Sequence, residues 1–269
     1  MARASDFSYF HTPPMALAHR GGSLYPPNVG LENSLTAFRT AVDLGFTHLE
    51  TDVHATSDGE VVAFHDDHLD RVSDTRGAIA TLPWATVRRV RIGGREPIPL
   101  LRELFEALPS ARFNIDIKAA GAVTPLWRLI EEYSAYDRVC VGSFSDIRLG
   151  AFRRLARGRV ATAAGPAGTA GLRFLPRLLS AALHSPGAVL QIPETTPLPG
   201  GRQLTVVTEA LLAAAHALGK QVHVWTIDDP AQMTRLLDLG ADGIVTDRPD
   251  LLKEVLQARG QWHVPGAGS

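Results

Sequence analysis

The segment Pro99-Leu100-Leu101-Arg102-Glu103-Leu104-Phe105-Glu106-Ala107-Leu108-Pro109-Ser110-Ala111-Arg112-Phe113-Asn114-Ile115-Asp116-Ile117-Lys118 changes character halfway along. Leu100, Leu101, Leu104, Phe105 and Leu108 form the stripe of an amphipathic helix. Phe113 to Lys118 then reads as a strand that ends in charged residues. A helix feeding such a strand is the unit from which most of the remaining chain can be built.

Toward the N-terminus, the apolar run Met15-Ala16-Leu17-Ala18 stops in His19-Arg20-Gly21-Gly22. Glu32-Asn33-Ser34 follows, leading into a helix with Leu35, Phe38, Ala41 and Val42 on one face and Gly45 as its stop. Thr47 to Val53 is the second strand. Asp58-Gly59 marks a tight turn into Val61 to His65, expected to pair back as a hairpin. From about 54 to 97 the chain is rich in Gly, Pro, Asp and Arg and has no long helical stripe. That span is expected to be an excursion too small for a core of its own.

Toward the C-terminus, Thr124-Pro125 has the N-cap and first-residue pattern of another helix, and Val139 to Phe144 is the next strand. Arg159–Ala164 and Ala188–Ile192 are strand candidates flanking an apolar helix from Phe174 to Leu183. Thr208 is expected to cap a helix running to Gly219, followed by the strand Val222 to Thr226. Asp229-Pro230 starts a helix ending at Gly240, Gly243 to Thr246 is the last strand, and Pro249 opens a final helix through Leu252, Val255 and Leu256. About eight strands, each followed by a helix or turn, predict an α/β fold: a TIM (β/α)8 barrel with a small insertion after strand 2, spanning residues 1–269 as one domain. A doubly wound open sheet is the alternative. In both, chemistry gathers at the carboxyl ends of the strands.

Composition bounds the function classes. The chain has 269 residues, 45% of them hydrophobic, and a net charge of -1 with both signs interspersed, so no broad basic surface for nucleic acid is present. The single cysteine, Cys140, lies in an apolar run and reads as core packing in a reducing compartment. No export signal is visible before Pro14, and the most apolar stretch, Leu172 to Leu190, is interrupted by Arg173, Arg177 and His184. A cytoplasmic protein without membrane contact is the expectation.

Residues two apart on a strand face the same way. Glu50 and Asp52 therefore present two carboxylates together at one strand end, and Asp116 and Lys118 pair in the same manner at the next. With His19 and Arg20 they converge on one mouth if the strands close. Clustered carboxylates repel, and a hard divalent cation held through oxygens relieves them, Mg²⁺ or Ca²⁺ rather than Zn²⁺. His19-Arg20-Gly21 combines an acid/base group, a cation that matches phosphate oxygens, and bare backbone. His65, at the end of the hairpin, supplies a second imidazole for a proton-transfer pair. Trp225, ending the seventh strand, is placed to wall the mouth or to pack in the core.

The assembled pieces resemble the glycerophosphodiester phosphodiesterase family from Ala16 to Leu252. The resemblance is carried by His19-Arg20-Gly21, Glu32-Asn33-Ser34, Glu50-Thr51-Asp52, His65-Asp66, Asn114-Ile115-Asp116-Ile117-Lys118, Gly142-Ser143-Phe144, Val224-Trp225-Thr226 and Thr246-Asp247-Arg248-Pro249, in family order. It implies a barrel carrying one divalent cation, Mg²⁺ or Ca²⁺, on Glu50, Asp52 and Asp116. It implies hydrolysis of glycerophosphodiesters to glycerol 3-phosphate and an alcohol, with His19 and His65 as acid and base. Arg20 and Lys118 would then bind the phosphate and Trp225 the glycerol, with a cyclic phosphate as intermediate. The chain departs from the family pattern in having Asp116 where a glutamate is common and Leu31 where a proline is common. The alternatives are a lysophospholipase D-like enzyme, with Leu172 and Phe174 to Leu183 lining an acyl groove, and a barrel that binds a phosphodiester without turnover.

Overall fold

The structure is a computed structural model and describes residues 2–175 and 186–262. Its principal strands are β1 (Met15–His19), β2 (His48–Ala55), β3 (Arg112–Ile117), β4 (Val139–Gly142), β5 (Ala161–Thr162), β6 (Val189–Pro193), β7 (Gln221–Trp225) and β8 (Gly243–Thr246). They pair in parallel in the order β5-β4-β3-β2-β1-β8-β7-β6. A parallel bridge between Ala163 and Val189 joins the two outer members. There the Ala164 amide donates to the Val189 carbonyl at 2.7 Å and the Ala188 amide to Thr162 at 2.8 Å. The sheet thus curls into the predicted (β/α)8 barrel.

Among the described residues each strand is followed by a helix of seven or more residues: α1 (Leu35–Asp43), α2 (Leu101–Ala107), α3 (Val123–Glu132), α4 (Asp146–Ala156), α5 (Pro166–Phe174), α6 (Glu209–Ala217), α7 (Pro230–Leu239) and α8 (Pro249–Ala258). Ser34, Ser145, Thr208 and Asp229 cap α1, α4, α6 and α7, each side chain accepting from the amide three residues on. Thr124 is not the cap of α3. A 3-10 turn at Ala120–Ala122 runs straight into that helix, and Pro125 sits in its first turn, where a missing N–H costs nothing. The helix read from Phe174 to Leu183 falls largely on residues 176–185, outside the described residues, as do His184 and His263. The described helix ends at Phe174. A short antiparallel ribbon, Thr195–Pro197 with Gln203–Thr205, has no sequence signature, because three-residue strands carry no measurable period.

Alternation along the strands sorts side chains into two layers. Leu49, Val53, Phe113, Ile115, Ile117, Val222 and Val224 face the helices and pack with Phe38, Leu104, Phe105 and Phe152. Met15, Leu17, Cys140, Ala161, Ala163, Val189 and Val245 cluster separately inside the barrel, under Tyr9. Burial pushes the Cys140 thiol up, so it packs as an inert small group.

The excursion pairs back as expected, Val61–Ala63 running antiparallel to β2 with Val53 opposite Ala63. It does have a core of its own, contrary to expectation. Val62, Phe64, Leu69, Ile79, Val87, Val90, Ile92, Ile98 and Leu100 bury against one another. The size argument fails here because Ile98 and Leu100, beyond the end of the excursion, complete this small core, and Val62 bridges Leu100 at the start of α2.

Candidate active site

The first loop is shaped by backbone that only certain residues tolerate. Gly21 and Gly22 have φ of +85° and +86°, and a Cβ would lie 2.8 Å from the Ala37 methyl or 2.6 Å from the Pro249 ring. Buried Asn28 ties the loop down by donating to the carbonyls of Gly21 and Ala37. Alanine at Gly22 is therefore expected to cost roughly 2 kcal/mol in stability, measured by urea unfolding, and to displace Arg20 and His19 just before it.

The loop delivers His19 and Arg20 onto the ends of β2 and β3. The Arg20 amide donates to Glu50 at 3.2 Å, while its guanidinium lies 3.2 Å from Asp52 and 3.1 Å from Glu32. Lys118 Nζ bridges Asp52 at 2.8 Å and Asp116 at 2.6 Å. Asn33 donates to Asp52 at 3.1 Å and accepts from Thr51 at 2.8 Å. The carboxylates consequently differ. Burial and the adjacent Asp52 push Glu50 up to about 7. Asp52 goes down, because Lys118 and Arg20 outweigh the burial that would raise it.

His19 Nδ1 lies 2.8 Å from Asp247 and its Nε2 3.8 Å from Glu50. These carboxylates raise the imidazole pKa against the opposing effect of burial. Asp247 also accepts from Ser23 at 2.6 Å. His65 repeats the device on the excursion, its Nδ1 lying 2.5 Å from Asp66. Both aspartates are held below the usual carboxylate range, so each is an ionised acceptor and each imidazole Nδ1 carries the donated proton. In both rings this leaves Nε2 available for proton transfer.

All the residues singled out above, His19, Arg20, Glu50, Asp52, His65, Asp116, Lys118 and Trp225, line one cavity of about 420 Å³ at the carboxyl ends of the strands. Trp225 stands at its rim, edge-on to Phe144 at 5.5 Å, and Lys118 Nζ lies 5.5 Å above the Phe144 ring. Below, Gln191 donates across the barrel to Asn114 at 2.8 Å. Asp247 has no role readable from the sequence beyond its place in Thr246-Asp247-Arg248-Pro249; as the acid just past β8 it satisfies the same strand-end rule as Glu50 and Asp116. Glu32, part of the Glu32-Asn33-Ser34 motif, and Arg71, which has no local signature, carry further ion pairs here.

The donors present suit a hard divalent cation: carboxylate oxygens, with Asp116 Oδ1 buried and lacking any hydrogen-bond partner. Among the described residues no three Asp, Glu, His or Cys side chains converge on a common ion position as they stand. Lys118 instead takes up charge between Asp52 and Asp116.

The chain matches the family model described as the glycerophosphoryl diester phosphodiesterase family over residues 19–164 and 177–251. It is 42% identical over 255 residues, 94% of each chain, to "Probable glycerophosphodiester phosphodiesterase 2" of Mycobacterium tuberculosis. It is 30% identical over 275 residues to human "Lysophospholipase D GDPD1", covering 89% of this chain and 85% of that one. Among solved structures it resembles an Oleispira antarctica phosphodiesterase in complex with the product sn-glycerol-3-phosphate, with TM-score 0.75 and 23% identity, covering 91% and 97% of the two chains. A glycerophosphodiester phosphodiesterase from Agrobacterium tumefaciens aligns with TM-score 0.71 and 22% identity over 88% and 98%. A barrel with acid, base and cationic groups gathered at one mouth, matched by a family model along most of its length, belongs to the glycerophosphoryl diester phosphodiesterase family, enzymes that hydrolyse glycerophosphodiesters.

Proposed function

We propose that the chain releases glycerol 3-phosphate from its substrate by proton transfer between two histidines, His19 and His65, on a phosphate held by Arg20 and Lys118. One observation carries this reading: two imidazoles line the same cavity, each with Nδ1 occupied by an aspartate, at 2.8 Å and 2.5 Å. One Nε2 takes the proton of the glycerol 2-hydroxyl as its oxygen bonds to phosphorus. The other protonates the departing alkoxide as the phosphorus–oxygen bond to the alcohol breaks. Water then opens the cyclic phosphate with the proton roles reversed. An attached hydroxyl reacts at high effective concentration, which favours this internal route. Arg20 and Lys118 offset charge that builds on the phosphoryl oxygens, and Trp225 supplies an apolar wall for the glycerol.

The family generally depends on a divalent cation. Glu50, Asp52 and Asp116 would hold it here, Mg²⁺ or Ca²⁺, and when bound it would polarise a phosphoryl oxygen. The test is glycerol 3-phosphate release from glycerophosphocholine by purified protein, with EDTA and then with each ion restored. Release that stops with EDTA and returns with Mg²⁺ or Ca²⁺ is expected; undiminished release after thorough chelation would remove the cation from the proposal. Phosphorus NMR of the reaction should show a transient cyclic phosphate.

A second reading has its own observation. The outer wall of the cavity is apolar, formed by Phe144, Phe174, Ile192, Leu204 and Val206, and Phe144 and Phe174 are 62% and 60% exposed. Such a wall suits the acyl chain of a lysophospholipid, the substrate class named for the human relative. Leu172, expected in that groove, is buried in the core between barrel and helices instead. Turnover of lysophosphatidylcholine faster than glycerophosphocholine would favour this reading. The substrate in both readings is a small molecule, and we place the activity in the cytoplasm. No helix among the described residues is long and apolar enough to cross a membrane.

A further inference from the structure

His65 sits on the excursion, so something must fix the excursion against the barrel if two imidazoles are to act on one substrate. Its backbone is held from below, where His54 Nε2 lies 3.1 Å from the His65 carbonyl. Its ring is held through Asp66, and Asp66 is held by Arg71. Arg71 Nε donates to Asp66 Oδ2 at 2.6 Å and Nη2 to Asp66 Oδ1 at 3.2 Å. The other edge of the same guanidinium donates to Glu32, Nη1 to Oε2 at 2.9 Å and Nη2 to Oε1 at 2.6 Å. Glu32 belongs to the first loop and also accepts from Arg20 at 3.1 Å, and Arg20 pairs with Asp52. An unbroken path of ion pairs thus runs from Asp52 through Arg20, Glu32, Arg71 and Asp66 to His65.

We propose that Arg71 is a positioning residue for His65, its guanidinium bracketing Asp66 on the excursion against Glu32 on the first loop so that the second imidazole stays in register with the cavity. The inference rests on the reading of His65 as one of the two proton-transfer groups. Arg71 is absent from the cavity lining, so it acts through its neighbours rather than on substrate. Its own place is secured by Leu69, fully buried in the small core of the excursion two residues earlier. Only a planar fork of five donors can grip two carboxylates edge-on at once; a lysine ammonium can satisfy neither bidentately. Arg71 also helps hold Asp66 down at about 2, keeping that carboxylate an acceptor for the imidazole N–H.

The experiment compares Arg71→Met, Arg71→Lys, His65→Ala and the double variant His65→Ala/Arg71→Met, all on glycerophosphocholine with saturating divalent cation. Arg71→Met is expected to lower kcat about 100-fold with KM changed less than about twofold, as for a reacting group displaced by a fraction of an ångström. The Arg71 side chain is 48% exposed, so the thermal midpoint should move by only a few degrees. Arg71→Lys keeps the charge and should still lose at least about fivefold. In the His65→Ala background the same Arg71→Met change should alter the residual rate by less than about twofold, because its effect passes through the missing ring. Near-normal kcat in Arg71→Lys, or an equal loss in both backgrounds, would overturn the bracket. Retained turnover in His65→Ala would instead overturn the role of His65 itself.

Discussion

Alanine at His19 is expected to lower kcat on glycerophosphocholine by about 10²–10⁴-fold, with the protein still folded by circular dichroism and thermal melting. The size of the effect follows from what the ring does. Its Nδ1 is committed to Asp247 at 2.8 Å and its Nε2 faces the cavity beside Glu50, the placement that the proposed proton transfer requires. Stability should change little by comparison, since His19 is only partly buried and belongs to neither apolar cluster. His65→Ala should lose a similar factor. Asp247→Asn is expected to lose about 10- to 100-fold, because an amide can accept from Nδ1 but no longer stabilises the imidazolium. A His19→Ala protein that keeps a tenth or more of wild-type kcat would show that another group moves the proton.

The second large effect is loss of stability in acid, measured by urea unfolding of the metal-free protein. His48 and His223 are wholly buried at the lower end of the barrel, and burial pushes each down to about 3. In His48, Nε2 donates to the Tyr9 carbonyl at 3.0 Å and Nδ1 accepts from the Thr47 hydroxyl at 3.0 Å, so both nitrogens of the neutral ring are used. In His223, Nε2 donates to Gln221 at 2.9 Å, and Nδ1 is buried with no partner that could accept a proton. Between the unfolded pKa of about 6.5 and the folded value, the unfolded chain binds the extra protons. Each histidine therefore removes stability as pH falls, by up to about 1.4 kcal/mol per pH unit.

Glu50 works in the opposite direction. Its folded pKa, near 7 through burial and Asp52, lies above the unfolded value, so its stabilisation grows as pH falls from about 7 and is fully present below about 4.5. His19, also raised, contributes stability that is fully present below about 6.5 and is lost as pH rises through its folded pKa. His54 is lowered by burial as well, and Glu32, Asp52, Asp66 and Asp247 are held below the usual carboxylate range, so the net effect is loss of stability as pH falls below about 6.5, steeper below about 4.5 where Glu50 offers no further offset. His223→Gln should remove one of these destabilising contributions. A stability that is flat or rising from pH 6.5 to 4 would contradict the neutral, buried state of these rings.

Much of the candidate site was legible because barrel chemistry is written at strand ends. Glu50 with Asp52, and Asp116 with Lys118, announce themselves by a two-residue spacing that survives any detail of packing. His19 and Arg20 do so by breaking an apolar run just before two glycines. Asp247 obeyed the same rule and was passed over, since nothing local distinguishes an acid that orients an imidazole from one that only ends a strand. Arg71 had less to offer still: one arginine in a segment rich in charge, whose partners Glu32 and Asp66 lie 39 and 5 residues away. The small core of the excursion escapes a size argument because that argument counts the residues of a segment and not Ile98 and Leu100 beyond its end, which complete the core.

Local signals in the chain define the order of the principal strands and the helices after them, the capping residues Thr208 and Asp229, and the alternation that turns Leu49 and Phe113 outward while Glu50 and Asp116 turn inward. Each depends on interactions within one turn or one strand pair, and so appears as a pattern over a few residues. Closure rather than an open sheet, made by the contact of Ala163 with Val189, and the pairing of His19 with Asp247, 228 residues apart, depend on the assembled fold. Such contacts form when the sheet curls far enough for distant strand ends to meet. That curvature is a sum over all eight strands and their packed helices, so no single stretch of the chain contains it.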